Sequence, residues 1–345
     1  MSCHVTSRPA RKRLLKWVAG LATIGLLNCL CLTALALHLE LPDRLRELDS
    51  QVVEFSDGTA AHVSLAPDDR WRLPTRLENI DGRYISALLR LEDKRFYAHY
   101  GVDPLAVARS TAINIKRGAV ITGASTITMQ LVRLLESRPR TLWSKMVEAF
   151  RAVQLELRMS KREILEHYLR FLPFGRNIEG VETAALVLFG HTADALSPSE
   201  VATLLAIPQA PTSRHPGGTR TKVLKRSRDK IAKRLLALGA MPRGPEHEAL
   251  TDEHVLDLIK ATPPPDRLRS LPRYARHAAV WLLERYPDRQ RIRSTLDRGL
   301  QTFAEDLMSA AGARLGSVGI KHGACVLLEH DSGAIRGLVG SFDFD

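Results

Sequence analysis

The chain has 345 residues, enough for one well-packed core with accessory pieces or for two modest domains. Hydrophobic residues make up 45% and charged residues 26%, the balance of a folded protein rather than a disordered one. The formal net charge of +12 selects anionic partners: nucleic acid, phospholipid headgroups or a phosphorylated substrate.

Residues 1–16 carry Arg8, Arg11, Lys12, Arg13 and Lys16 and no acid, and residues 17–37 then run without a charge. At about 1.5 Å per residue, such a helix spans a hydrocarbon core of about 30 Å. The run is long for a signal-peptide core and lacks a clean cleavage site, although a cleaved signal peptide is the competing reading. The basic flank keeps the N-terminus cytoplasmic and sends the remainder across the membrane. Export under either reading excludes nucleic acid as the partner. The four cysteines, Cys3, Cys29, Cys31 and Cys325, form neither a disulfide framework nor a metal-ligand spacing.

Residues 51–64 alternate weakly and turn at Asp57-Gly58, which predicts a hairpin. From about 80 to 240 the pattern predicts helices, with breaks at Gly101, Pro104, Gly118, Gly123, Pro139, Gly175, Gly190 and Pro208. Residues 219–238 form a basic helix through Lys222, Lys225, Arg226, Arg228, Lys230, Lys233 and Arg234. A solvated face and a face near anionic headgroups both fit it. Residues 262–273 are rich in Pro and Arg and read as a connector. Beyond about 291 come a helix over 296–313 and a second hairpin, 324–329 with 335–339, around Asp331-Ser332-Gly333.

Three segments carry chemistry. Ile85, Leu88, Leu89, Glu92 and Phe96 fall on one helical face, so Glu92 takes a position that the pattern reserves for an apolar side chain. A carboxylate turned inward is desolvated and becomes a better base; a helix end with Glu92 exposed fits the spacing as well. Asp93 and Lys94 are expected to turn away. The second segment, Gly123-Ala124-Ser125-Thr126-Ile127-Thr128-Met129-Gln130-Leu131-Val132-Arg133, lets backbone approach a ligand, with Ser125 as N-cap and free N–H groups suited to an anion. Thr126, Gln130 and Arg133 share a face by spacing. An ordinary capped helix is the alternative. In the third, Lys145 and Glu148 lie one turn apart. They form either a surface ion pair or a diphosphate ligand with a second carboxylate.

In this order, these segments resemble the peptidoglycan glycosyltransferases of glycosyltransferase family 51. The motif Glu-Asp-x-x-Phe-x-x-His-x-Gly-x-Asp matches at Glu92, Asp93, Phe96, His99, Gly101 and Asp103. Gly-Gly-Ser-Thr-Ile-Thr-Gln-Gln matches at 123–130, with Ala124 and Met129 as departures. Arg-Lys-x-x-Glu matches at 144–148, with Ser144 in place of arginine. A fourth motif falls at 163–180, with Arg170 where asparagine is usual, and Pro208-Gln209-Ala210-Pro211 follows. Arg70-Trp71-Arg72-Leu73-Pro74, the segment 123–130 and Arg138-Pro139-Arg140-Thr141 look like the C-type subgroup of class A penicillin-binding proteins.

The resemblance implies a mainly α, lysozyme-like glycosyltransferase domain. It implies a cytoplasmic tail (1–16), a transmembrane anchor (17–37), a short β and linker segment (38–75), the enzyme domain (76–242) and a linker (243–290). The start of an α/β transpeptidase domain (291–345), cut short there, comes last. It implies polymerisation of lipid II into glycan strands, with inversion at MurNAc C1 and release of undecaprenyl diphosphate. Glu92 takes the proton from the acceptor's GlcNAc 4-hydroxyl, and Glu148 is the second catalytic carboxylate. Asp93, Phe96, His99, Ser125, Thr126, Gln130, Arg133 and Lys145 are implied as substrate-binding residues. A divalent cation, magnesium or manganese, is implied for the diphosphate, with no dedicated metal cluster in the chain and no organic cofactor. The implied setting is the bacterial inner membrane, single-pass and periplasmic. Lipid II, the growing strand, membrane lipids and other cell-wall synthesis proteins are the implied partners. The amphipathic stretch 102–121 fits both membrane contact and core packing. No transpeptidase activity is expected: the one Ser-x-x-Lys, Ser227 to Lys230, lies on the basic helix without a Ser-x-Asn or Lys-Thr-Gly after it. The competing readings are an inactive membrane-anchored scaffold, motivated by Ser144 and Arg170, and a lytic transglycosylase.

Overall fold

The computed structural model describes residues 17, 20, 23, 27, 30–119, 123–243 and 250–344. In chain order the elements are β1 (Val52–Glu54), β2 (Ala60–Val63), β3 (Trp71–Arg72), α1 (Gly82–Glu92), α2 (Pro104–Arg117), α3 (Ile127–Leu135), α4 (Leu142–Arg158), α5 (Lys161–Phe171) and β4 (Ile178–Glu179). There follow α6 (Val181–Phe189), α7 (Pro198–Ala206), α8 (Thr219–Ala237), α9 (Asp252–Ala261), α10 (Arg276–Arg285), β5 (Arg291–Arg293), α11 (Arg298–Gly316), β6 (Cys325–Leu328) and β7 (Ile335–Val339). The chain is mainly helical. Its contacts divide it into one unit of Met1–Leu45 with Arg95–Ile164 and a second of Arg46–Lys94 with Leu165–Asp345.

The first unit is built on α3 and α4. Ile127, Leu131, Val132 and Leu135 of α3 are buried, as are Ala152 and Leu155 of α4. Gly101 fixes the approach of the preceding loop. Its φ is +81°, and a Cβ there would lie 2.6 Å from the backbone carbon of Ala152. Any side chain at 101 therefore collides with main chain that cannot move aside. Residues 30–38 are helical, and the chain leaving them is tied to one face of α4. Arg158, Gln154 and Arg151 donate to the carbonyls of Leu37, Leu39 and Glu40. The basic tail 1–16 and part of the expected anchor 17–37 lie outside the described residues, as do Val120 and Ile121 of the amphipathic stretch. Among the described residues no helix is long and apolar enough to cross a membrane.

In the second unit, both expected hairpins form. β1 pairs antiparallel with β2, and β6 with β7. Two further pairings link distant parts of the chain: β5 runs parallel to β1, and β3 runs parallel to β4 in a sheet of their own. Sequence periodicity carries no signal for such partners, because strands of two or three residues are chosen by what they meet. The expected linker 243–290 contains α9 and α10, and Ala278 of α10 packs with Phe55, Ala61 and Leu296. The helices α7 and α8 bury Val201, Leu204, Leu224, Ile231 and Leu235. α8 is not uniformly solvated as its charge pattern suggested. Arg228 is fully buried, donating to Ser199 Oγ and the Thr262 carbonyl and pairing with Asp229.

A buried ion network holds the segment before α1. Arg72 is fully buried and pairs with Asp49, Asp68 and Glu179 at 3.3, 2.9 and 2.8 Å. Arg170 joins it through Asp49 at 2.6 Å. Removing one partner from such a network strands a charge in low dielectric, which costs about 3–5 kcal/mol.

Candidate active site

Glu92 is the last residue of α1 in the second unit. Asp81 caps the other end, accepting from the Arg83 N–H at 2.8 Å, and also takes the Leu196 N–H at 3.0 Å. The buried face of α1 is Tyr84, Ala87, Leu88 and Leu91. Glu92 therefore sits at the edge of that face and is half-buried, between the two placements the spacing allowed. The expected stripe does not continue to Phe96, because the helix stops at Glu92 and Phe96 opens a separate single turn, Phe96–Ala98. Asp93 corrects another expectation. It does not turn away but is buried as the C-cap of α1, its own N–H donating to the Leu89 carbonyl.

Tyr84 and the buried Tyr168 of α5 lie close enough to Glu92 to feel its charge. Burial, and then the Glu92 carboxylate, push both phenols well above their ordinary value, so both stay neutral across the physiological range. Gln209 donates from Nε2 to Glu92 Oε1 at 3.3 Å. Sequence reasoning quoted the Pro208-Gln209 segment but gave the glutamine no role.

The other implied residues belong to the first unit. Phe96 and His99 are buried and meet edge to face, with ring centroids 6.3 Å apart. The Lys161 ammonium lies 4.4 Å from the centre of the Phe96 ring and pairs with Glu156, which also accepts from Thr128 at 2.6 Å. Phe96 and His99 are thus packed into this unit's interior. Asp103 caps α2 through the N–H groups of Leu105 and Ala106.

The N-cap of α3 is Thr126, not Ser125. The Thr126 hydroxyl is buried, accepts from the Met129 N–H at 3.1 Å and donates to the Gly101 carbonyl at 2.5 Å. The Thr126 hydroxyl thus ties the start of α3 to the loop at Gly101. Ser125, displaced by one position, accepts from Lys145 Nζ at 3.3 Å. Gln130 and Arg133 are half-buried on the same face of α3.

Arg133 and Glu148 form a two-pronged ion pair: Nε to Oε1 at 2.9 Å and Nη2 to Oε2 at 2.7 Å. The Glu148 side chain is 8% exposed and that of Arg133 40%. The carboxylate is therefore the buried half, and the guanidinium is the half with a free edge. Hydrogen bonding to Glu148 holds the Arg133 guanidinium above its ordinary value. Lys145 does not pair with Glu148 but reaches Ser125. The result is one surface presenting a hydroxyl, an ammonium and an oriented guanidinium, a donor set for an anion.

Two of the departures from the family motifs, Ser144 and Arg170, have local roles. Ser144 is buried, with its Oγ 2.9 Å from Thr141 Oγ1 in the cap of α4. Arg170 is consumed by Asp49 and by the face of Phe171, 4.6 Å from its guanidinium carbon. Among the described residues no group of three or more His, Cys, Asp or Glu converges as a metal site.

Comparison with known proteins agrees with these segments. The transglycosylase family matches residues 58–236. Penicillin-binding protein 1C of Escherichia coli K12 is 34% identical over 296 residues, covering 86% of this chain and 37% of that protein. Penicillin-binding protein 1A of the same organism is 32% identical over 243 residues, covering 69% and 28%. The chain thus spans roughly a third of the length of the curated relatives it matches. The crystal structure of penicillin-binding protein 1A from Haemophilus influenzae aligns over 86% of this chain and 33% of that one, at 15% identity and a TM-score of 0.34, too loosely to argue from. All the motif segments from Glu92 to Pro211 fall within the matched residues, and the chain belongs to the transglycosylase family, the peptidoglycan glycosyltransferases of glycosyltransferase family 51.

Proposed function

We propose that the chain is a peptidoglycan glycosyltransferase that polymerises lipid II. The observation that carries this reading is the donor surface that Ser125, Lys145 and the Glu148-oriented Arg133 form within the matched segment. Glu92 removes the proton from the acceptor's GlcNAc 4-hydroxyl, whose oxygen attacks MurNAc C1 of the donor strand. The bond from C1 to the diphosphate oxygen breaks, with inversion. Undecaprenyl diphosphate leaves as an anion, so the site must supply positive charge rather than a proton to the leaving group. Lys145, Ser125, Gln130 and Arg133 supply that charge and its hydrogen bonds. Glu148 acts through Arg133 by holding its fork, and Thr126, Phe96, His99 and Asp93 keep the motifs in place. A magnesium or manganese ion enters this reading as a companion of the diphosphate oxygens.

The substrate lipid calls for a membrane setting, with 17–37 as a single-pass anchor and the enzyme domain on the periplasmic side. Leu142, Trp143 and Met146 at the start of α4 are 86%, 70% and 65% exposed, and Leu105 and Ile115 of α2 are exposed as well. Such side chains, beside Arg138 and Arg140, suit an interface with anionic headgroups. Incubation with lipid II and, separately, with finished glycan tests the reading. Strand growth from lipid II without cleavage of finished glycan supports it. Cleavage without growth would make the chain a lytic enzyme, and neither would make it a scaffold.

A further inference from the structure

Gln209 is the last residue of a single helical turn, Ile207–Gln209, that follows directly on α7. Pro208 and the hydrogen bond from the Ala210 N–H to the Ile207 carbonyl fix that turn. Its amide lies between two charged groups. Nε2 donates to Glu92 Oε1 at 3.3 Å, and Oε1 accepts from Arg214 Nη1 at 3.1 Å. Arg214 Nη1 is itself anchored, donating to the Ala206 carbonyl at the end of α7 at 2.9 Å. A cation at that end also suits the helix dipole.

A guanidinium only donates and a carboxylate only accepts. The amide between them therefore has one stable orientation, with its oxygen toward Arg214 and its NH2 toward Glu92. We propose that Gln209 is a positioning residue for the Glu92 carboxylate, and that Arg214 fixes the direction in which its amide points. This inference rests on Glu92 being the catalytic base.

The rest of Glu92's surroundings in this unit make the amide matter more. Tyr84 on α1 is fully buried, and its hydroxyl has no hydrogen-bond partner among the described residues. Tyr168 on α5 is buried beside it, and Asp93 follows directly in the chain. Gln209 reaches the carboxylate from a different element, by donation, and Arg214 is the cation behind it. The amide thus holds the carboxylate in one orientation toward the substrate hydroxyl.

The test is the steady-state kinetics of lipid II polymerisation by the full chain and by Gln209→Ala, Gln209→Asn, Arg214→Ala, Arg214→Lys and Glu92→Gln, with melting temperatures alongside. Both Gln209 variants are expected to lose about tenfold in kcat at neutral pH with KM changed less than about twofold. Arg214→Ala should share this signature and Arg214→Lys restore most of it. A Gln209→Asn protein that melts like wild type and keeps its rate overturns the proposal. So does a loss confined to KM. An active Glu92→Gln enzyme would instead overturn the underlying assignment of the base.

Discussion

Glu148 commits both carboxylate oxygens to one guanidinium, and this decides what its loss does. Glu148→Ala should lower stability by about 1–3 kcal/mol, the worth of hydrogen bonds to a charged group. It should also cut polymerisation by about a hundredfold, because a loose Arg133 no longer meets the leaving group as a fixed fork. Arg133→Lys should retain more activity than Arg133→Ala, since a lysine keeps the charge but not the planar fork. Single-turnover polymerisation and thermal melting of the three variants check this. A wild-type rate for Arg133→Lys would say that the geometry of the pair is irrelevant.

The elements matter here through their ends. Asp81 begins the helix that Glu92 closes. Burial pushes the Asp81 carboxyl up, but hydrogen bonds from Arg83 and from the Leu196 and Arg83 N–H groups outweigh it and hold the group below its ordinary value. A depressed carboxyl stabilises the fold above its unfolded pKa of about 3.9, and the contribution drains away as pH falls through the lower folded value. Asp81→Ala should therefore cost about 1–2 kcal/mol at neutral pH, as a lost N-cap does. The difference from wild type should narrow in melts below about pH 4. Gly101→Ala is expected to cost about 2–5 kcal/mol, from positive-φ strain and a clash with the Ala152 backbone together.

At this same scale the limits of sequence reading are physical. The helices, both hairpins and the motif segments were legible, because periodicity and turn residues encode them locally. The parallel pairings β1–β5 and β3–β4 were not, because their partners lie far away in the chain. Ser125 was placed one residue early as the cap, because adjacent hydroxyls score alike until one is seen to be buried. The stripe ending at Phe96 was overextended, because no local signal distinguishes the last turn of α1 from the loop after it. The burial of Arg72, Arg170 and Arg228 was hidden as well, since a basic side chain goes inside only where distant acids or carbonyls await it.

For the whole molecule, the proposed function makes Leu142, Trp143 and Met146, exposed on a chain of net charge +12, the face that meets anionic lipid. Replacing the three together with serine should leave the melting temperature within about 2 °C, as surface changes usually do. Polymerisation of lipid II in anionic vesicles should drop severalfold, with little change on a water-soluble short-chain lipid II. Equal effects on both substrates would remove this patch from membrane contact. The most direct test of the central claim is the extent of glycan formed from lipid II by wild type and by Glu92→Gln, each shown by circular dichroism to be folded. Long strands from wild type and a fall of at least about a thousandfold for Glu92→Gln are expected for loss of a positioned general base. A folded Glu92→Gln protein that polymerises lipid II at the wild-type rate would contradict it.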